Sequence, residues 1–465
     1  MVPKIFTIYL ALAVSVTAAS VEQRAPSGCW PWGIQINPRT RPSSPSAIAP
    51  LTNQSFIISQ CDILAGQDFA YAGYDLCSID GGWESSTTDK NGRIIYDTSR
   101  FDIPALGKHL HSNDLKLGLY TSPQIPCEAG EKLIYGTKIK ISTILIQGLP
   151  SDSGNCYFNY SHPDTQLYYD SLIDLWASWG ADMIKLDFIT PGSIVGSKPI
   201  PDDTSGAAIA MHNAIANNGK RIRLDVSSNV CRNSPYTEIW DKNTDTMRVA
   251  VDINNNNSKS FIGMWKVQGT IEQYRLFINQ IVEGKKLMRT RPDFDNLFVA
   301  NPEAISGIND NQRLTVMSHW IGASANLIMG SDLTNIDDLG RKLLTSPGTI
   351  RARDFCTKWP MQPRNPGTGR NTAQQLQAWV AGPSDNGQAY LLMTNLGPNH
   401  GRGNFDTVGE GVQRLSTTLG QLGFRSPKYS LTQVWSGNTS TKGLNDKITL
   451  DLDNGQLVFF QVAPI

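Results

Sequence analysis

The chain has 465 residues, 40% of them hydrophobic and 18% charged, a balance that excludes a disordered polypeptide and lets a core form without metal or disulfide support. Lys+Arg and Asp+Glu stand at 41 each, so the formal net charge is zero and gives no support to a nucleic-acid partner. Eleven Trp and 14 Tyr suit sugar faces, although a large core also uses such residues.

At the N-terminus Lys4 precedes an apolar run from Ile5 to Val16 that ends in Thr17-Ala18-Ala19-Ser20. A charged start, an apolar stretch and a small-residue cleavage site predict a secretory signal over residues 1–20 and a mature chain from about Val21. The run is short for a bilayer, and no later stretch approaches about 18 apolar residues, so no transmembrane helix and no membrane partner are expected. In a secreted chain the sequons at Asn53, Asn159, Asn256 and Asn438 are glycan acceptors on surface loops. Of the seven cysteines, Cys29, Cys61, Cys77, Cys127, Cys156, Cys231 and Cys356, some should pair in an oxidising compartment. Cys127 and Cys156 lie in loop-like sequence and are the expected bridge. The odd count leaves at least one thiol, and Cys77, inside an apolar run, is expected to be a buried one. The cysteine spacings fit no zinc pattern and the six His show no i, i+4 ligand spacing, so no metal or cofactor is expected.

From about residue 70 to 335, short apolar runs alternate with amphipathic stretches. Strands are predicted at Tyr74–Asp80, Leu115–Tyr120, Asp182–Phe188, Ile222–Val226, Thr246–Ile253 and Asn326–Met329. A helix is predicted at Ser171–Trp179, where Leu172, Leu175, Trp176 and Trp179 repeat at helical spacing before Gly180. This alternation implies a parallel sheet, and its length favours a closed (β/α)8 TIM barrel over residues 21–345. Beyond, the segments Leu376–Ala381, Ala389–Thr394, Gln433–Trp435, Lys447–Leu452 and Leu457–Val462 are short and separated by Gly, Asn, Pro or Asp. Residues 346–465 therefore read as a C-terminal antiparallel β-domain, a sandwich.

Ionisable residues inside the apolar runs carry the chemistry. In Met183-Ile184-Lys185-Leu186-Asp187-Phe188 the period of two puts Lys185 and Asp187 on one face, opposite the apolar set. That face should look into the barrel near the carboxyl end of the strand, where barrel active sites are built. A structural ion pair is the competing reading for this strand alone. In Met247 to Ile253 the same alternation groups Arg248, Ala250 and Asp252, and Asp80 ends a third run before Gly81-Gly82-Trp83. Unpaired buried carboxylates cost several kcal/mol, so three of them at one rim point to use. Two carboxylates across a pocket are what retaining glycoside hydrolysis needs: one attacks the anomeric carbon, the other donates a proton and later activates water. Lys185 beside Asp187 suits it as nucleophile, because a neighbouring cation lowers a carboxyl pKa, and Asp252 is then the acid/base.

The stretch from Tyr74 to Phe188 resembles glycoside hydrolase family 27, the α-galactosidase and α-N-acetylgalactosaminidase group. The matching pieces are Ser78-Ile79-Asp80-Gly81-Gly82-Trp83, Asn91-Gly92-Arg93, Arg100-Phe101, Leu115 to Tyr120, Trp179-Gly180-Ala181-Asp182 and Lys185-Leu186-Asp187. Further on, Arg248 to Ile253 resembles the family's acid/base strand, Asp293-Phe294-Asp295-Asn296-Leu297 its Asp-Pro-Asp-Met-Leu turn, and Ile328 to Leu333 its last barrel strand. The resemblance implies a barrel followed by a β-domain and hydrolysis with retained configuration. It places the nucleophile at Asp187 and the acid/base at Asp252, with sugar binding at Asp80, Trp83, Lys185 and Arg248. Asp293 and Asp295 would support these residues.

Three departures bear on the sugar. The family's usual pair of aspartates at the second strand is here Asp80-Gly81, which removes a carboxylate that grips galactose hydroxyls. Phe188, Ile189 and Thr190 stand where a cysteine usually follows the nucleophile strand, and Trp30-Pro31-Trp32-Gly33 loosely replaces an opening Gly-Trp-Asn-Ser-Trp. A lost hydrogen bond removes the discrimination it supplied, and Ser122 and Gln124 are candidates to replace it. The expected function is a secreted exo-acting α-galactosidase with a carbohydrate as its partner. The alternatives are the same mechanism on an α-glucoside or β-L-arabinopyranoside, and a carbohydrate-binding protein without catalysis.

Overall fold

Eight short parallel strands form the central sheet in the computed structural model, which describes residues 24–35, 51–149, 154–193, 200–255, 260–284, 288–365 and 372–465. They are β1 (Ser27–Cys29), β2 (Leu76–Ser78), β3 (Lys116–Thr121), β4 (Ala181–Leu186), β5 (Arg223–Val226), β6 (Thr246–Arg248), β7 (Arg291–Asp293) and β8 (Leu327–Met329). From β1 to β7 each pairs with the next in sequence, and β8 pairs with β1. Leu297, just past β7, closes the ring: its amide donates to the Ile328 carbonyl at 2.8 Å and its carbonyl accepts from the Gly330 amide at 3.1 Å. The result is a (β/α)8 barrel.

The intervening helices are α1 (Gln54–Cys61), α2 (Ile103–Ser112), α3 (Thr165–Ser178), α4 (Gly206–Asn218), α5 (Tyr236–Asn243), α6 (Met264–Glu283) and α7 (Asp310–Gly322). The helix predicted from Ser171 begins earlier, at Thr165, and stops where Gly180 takes a φ of +97°, a conformation an L side chain resists. Of the predicted strands, the run to Ile253 is shorter than expected, because pairing ends at Arg248. The sequence pattern did not mark β1 or β7. Each has three residues, and Gly28 and Pro292 lie inside them.

Two helices, α8 (Asp338–Thr345) and α9 (Pro347–Lys358), follow β8, so position 345/346 falls between them. The antiparallel strands come next: β9 (Gln362–Pro363), β10 (Leu376–Ala381), β11 (Ala389–Asn395), β12 (Gln413–Thr418), β13 (Lys428–Gln433), β14 (Thr439–Gly443), β15 (Lys447–Leu452) and β16 (Leu457–Pro464). They form one sheet in the order β9-β10-β11-β16-β13-β14 and a second of β12 with β15. The strand expected at Gln433–Trp435 lies earlier, at β13, and Trp435 instead donates from its indole to Ser318 Oγ at 3.1 Å. The large sheet has two apolar faces. Ala378, Val380, Leu391 and Met393 face the small sheet, while Trp379, Ala381, Tyr390 and Leu392 belong to the barrel's core. Burial on both faces explains why β10 and β11 read as near-continuous apolar runs.

Cys127 and Cys156 are bridged, as expected. Cys77 is not a thiol: it is bridged to Cys61 at the end of α1. An apolar strand run signals burial but says nothing of a cysteine on a helix packed behind it. Cys29, Cys231 and Cys356 are free. The leader, residues 1–20, and the sequon at Asn256 lie outside the described residues. Among the described residues no helix is long and apolar enough to cross a membrane.

Candidate active site

The carboxyl ends of the strands bring the charged residues together. On β4 the pleat turns Lys185 inward, 4% exposed, and its Nζ donates to Asp80 Oδ2 at 3.2 Å. The ammonium lies 3.5 Å from the centre of the Trp30 ring, which follows β1, and 5.4 Å from that of Tyr120 on β3. Burial opposes its charge, but the Asp80 and Asp187 carboxylates outweigh burial and hold the ammonium pKa above its usual value. For Asp80 the balance goes the other way. Burial raises its carboxyl to about 6 against the pull of Lys185, and Asp187 adds to the rise.

Asp187 sits one residue past β4 and still follows the ladder: its amide donates to the Thr121 carbonyl at 2.8 Å. Its Oδ1 accepts from Ser227 Oγ at 2.6 Å and from the Phe188 amide at 2.9 Å. Its Oδ2 accepts from Tyr120 Oη at 3.2 Å. Burial would raise this carboxyl, but Lys185, the Ser227 hydroxyl and Arg248 together bring it below the ordinary aspartate value.

Arg248 ends β6 and is 2% exposed. It meets three carboxylates, Asp252 at 3.1 Å, Asp293 at 3.3 Å and Asp295 at 3.2 Å. The surrounding acids hold its charge against burial. Asp295 Oδ2 also accepts from the Ile253 amide at 2.8 Å, clasping the turn after β6 to the turn after β7. Asp252 is carried on that turn, beyond the end of the strand, so its direction does not come from the pleat. Its side chain is 55% exposed. Desolvation in the cleft raises its carboxyl above the ordinary value against the pull of Arg248, with Asp295 and Asp187 also raising it.

Asp80, Lys185, Asp187, Arg248 and Asp252 thus form one electrostatic group at one rim. Trp83 does not join them. Its indole is fully buried, donates to the Tyr120 carbonyl at 2.9 Å, and packs edge-on against Trp176 and Trp179 at 6.0 and 6.4 Å. It braces the wall between β2 and β3 and presents no face to a sugar. Where the second aspartate of the family would stand, a Cβ on Gly81 would lie 3.4 Å from the Tyr120 ring. Ser122 and Gln124 line a neighbouring cavity of about 700 Å³ together with Glu84. Burial pushes the Glu84 carboxyl up to about 8.

Sequence reasoning assigned no role to Trp30, Tyr120, Ser227 or Glu84. Tyr120 lay in a strand already picked out, and its inward parity with Gly118 was the available signal. Among the described residues no group of three or more His, Cys, Asp and Glu is arranged to hold a metal ion. What the rim offers is one carboxyl held below the ordinary aspartate value, another raised above it, and buried cations and hydroxyls beside them, a set suited to acid/base and nucleophilic chemistry.

A sequence family described as Alpha galactosidase A matches residues 50–131. The protein named alpha-galactosidase 8 of Emericella nidulans is 50% identical over 396 residues, covering 84% of this chain and 78% of that one. Alpha-galactosidase 3 of Hypocrea jecorina is 45% identical over 389 residues, covering 83% of this chain and 62% of its own length. Among solved structures, a family 27 β-L-arabinopyranosidase from Geobacillus stearothermophilus matches with a TM-score of 0.75 at 16% identity, covering 96% of this chain and 97% of that one. At that identity the likeness shows the shared fold.

Proposed function

The chain belongs to the α-galactosidase family, glycoside hydrolase family 27, and is an O-glycosyl hydrolase; from that premise we propose that it is a secreted exo-acting enzyme that cleaves terminal α-D-galactosides with retention. Asp187 is the nucleophile. Its ionised Oδ attacks the anomeric carbon as the glycosidic bond breaks, and Ser227, Tyr120 and Lys185 keep it deprotonated and fixed. Asp252 is the acid/base. It gives its proton to the leaving oxygen, then takes one from the water that hydrolyses the glycosyl–Asp187 ester. The observation that carries this reading is the split between the two carboxyls around shared cations: Asp187 lowered, Asp252 raised.

Asp80 and Lys185, buried and paired, are the sugar-hydroxyl partners, and Arg248 holds Asp252 toward the rim. Residues 1–20 are the leader, 21–345 the catalytic barrel and 346–465 the β-domain. The two bridges fit an oxidising compartment. A second reading keeps the mechanism and changes the sugar to a β-L-arabinopyranoside or an α-glucoside. Gly81 favours it, because it offers no second carboxylate beside Asp80, although a Cβ there would make only van der Waals contact with the Tyr120 ring.

A panel of nitrophenyl glycosides tests both readings. Fastest turnover of the α-galactoside supports the first. Turnover confined to an arabinopyranoside or α-glucoside overturns the sugar and leaves the mechanism. Binding without turnover of any member overturns the enzyme reading.

A further inference from the structure

A second cavity, of about 210 Å³, shares Asp252 with the site, but its lining includes neither Asp80 nor Lys185; it does include Asn229, Lys266, Gly269, Gln273 and Arg402. Arg402 comes from the C-terminal β-region, on the loop that leaves β11. That loop is pinned to α6 by buried side chains. Gln268 Nε2 donates to the Leu396 and Pro398 carbonyls at 3.0 and 2.8 Å, and its Oε1 accepts from the His400 amide at 3.0 Å. Asn404 Nδ2 donates to Glu272 Oε1 at 3.0 Å.

The helix is shaped to receive the arginine. Gly269 lies inside α6, where glycine weakens a helix relative to alanine. A Cβ there would lie 3.2 Å from Arg402 Cβ and 3.4 Å from its Cδ. The missing side chain is the groove that seats the arginine stem. The guanidinium then lies 4.6 Å from the centre of the Trp265 ring, and the Lys266 ammonium lies 5.2 Å from the same ring.

Lys266 donates to the Asp252 carbonyl at 3.1 Å and to the Asn254 carbonyl. Neither cation forms an ion pair with a carboxylate among the described residues. The first turn of α6 carries no acidic residue and its N-cap makes no side-chain bond, which leaves the positive helix end uncompensated. Among the described residues the only carboxyl lining the cavity is that of Asp252, which Arg248 already engages.

The leaving oxygen must sit beside the acid/base, so a cavity lined by Asp252 but by neither sugar-hydroxyl partner is placed to receive the leaving unit. We propose that this cavity is a leaving-group subsite for an aglycone bearing a carboxylate, such as an acidic sugar unit, with Arg402 as the recognising side chain. This rests on the α-galactosidase reading above. A fixed guanidinium matches a carboxylate with two parallel hydrogen bonds, and stacking on an indole keeps the fork in place.

The test compares 3-carboxy-4-nitrophenyl α-galactoside with its methyl ester on the whole enzyme, reading kcat/KM for each. Arg402→Gln should lower the acid-to-ester ratio about tenfold, mostly through KM on the acid, while Arg402→Lys keeps part of it. The wild-type ratio should fall with added salt, and thermal melts of both variants should match wild type. An unchanged ratio in a folded Arg402→Gln enzyme overturns the subsite. If wild type cleaves neither compound, the α-galactoside reading fails and the subsite fails with it.

Discussion

The turns that follow β4 and β6 each end in a candidate catalytic aspartate, and they differ in every respect that bears on its job. Asp187 is one residue beyond its strand, accepts three hydrogen bonds, and keeps a ladder bond to β3. Asp252 is four residues beyond its strand, meets Arg248, and is 55% exposed. A nucleophile profits from a fixed oxygen that stays ionised. An acid/base must exchange a proton with water in every cycle and profits from exposure. In the proposed roles, two identical side chains take opposite tasks according to how tightly each turn is held.

The comparison breaks most sharply with Asp187→Asn, which should lower kcat at least about 10⁴-fold while leaving the melting temperature close to wild type. Activity near the wild-type rate would move the nucleophile elsewhere. Asp252→Ala should cost about 10²–10⁴-fold on a poor leaving group and much less on a dinitrophenyl glycoside, which needs little protonation. Equal losses on both would deny it the acid role. The smallest expected effect sharpens the contrast. Ser227→Ala removes one donor from Asp187, so its carboxyl pKa should rise.

The sign of the pH dependence follows from the two shifts. The proposed mechanism needs Asp187 ionised, so activity is expected above its lowered pKa and should be lost as pH falls through it. It needs Asp252 protonated, so activity is lost as pH rises through its elevated pKa. Wild-type kcat/KM should therefore show an acidic optimum. Ser227→Ala should move only the acid limb upward, and a shift of both limbs would mean that the two turns are not held independently.

The same two turns show what the sequence could reveal. The alternation of Ile184, Lys185, Leu186 and Asp187 placed Lys185 and Asp187 on one face, and the ladder carries that pattern through Asp187. For Asp252 the period of two gave a sound place for an unsound reason. The pleat ends at Arg248, and the turn is set by Asp295 holding the Ile253 amide, a contact 42 residues apart that periodicity does not encode. Ser227 and Trp30 were silent for a related reason. Each is ordinary at the end of its own strand and gains meaning only from the register of neighbouring strands. Trp83 sat inside a matching motif yet faces Trp176 and Trp179, since a motif fixes neighbours along the chain and leaves the rotamer to packing.

The central claim is a covalent bond between the sugar and Asp187, and trapping reads it directly. A fluorinated α-galactosyl substrate whose deglycosylation is slow is incubated with the enzyme, which is then digested and its peptides mapped by mass spectrometry. A single galactosyl adduct on the carboxylate of Asp187 is the predicted result. An adduct on any other carboxylate, or steady turnover with no adduct and an inverted product, would contradict it.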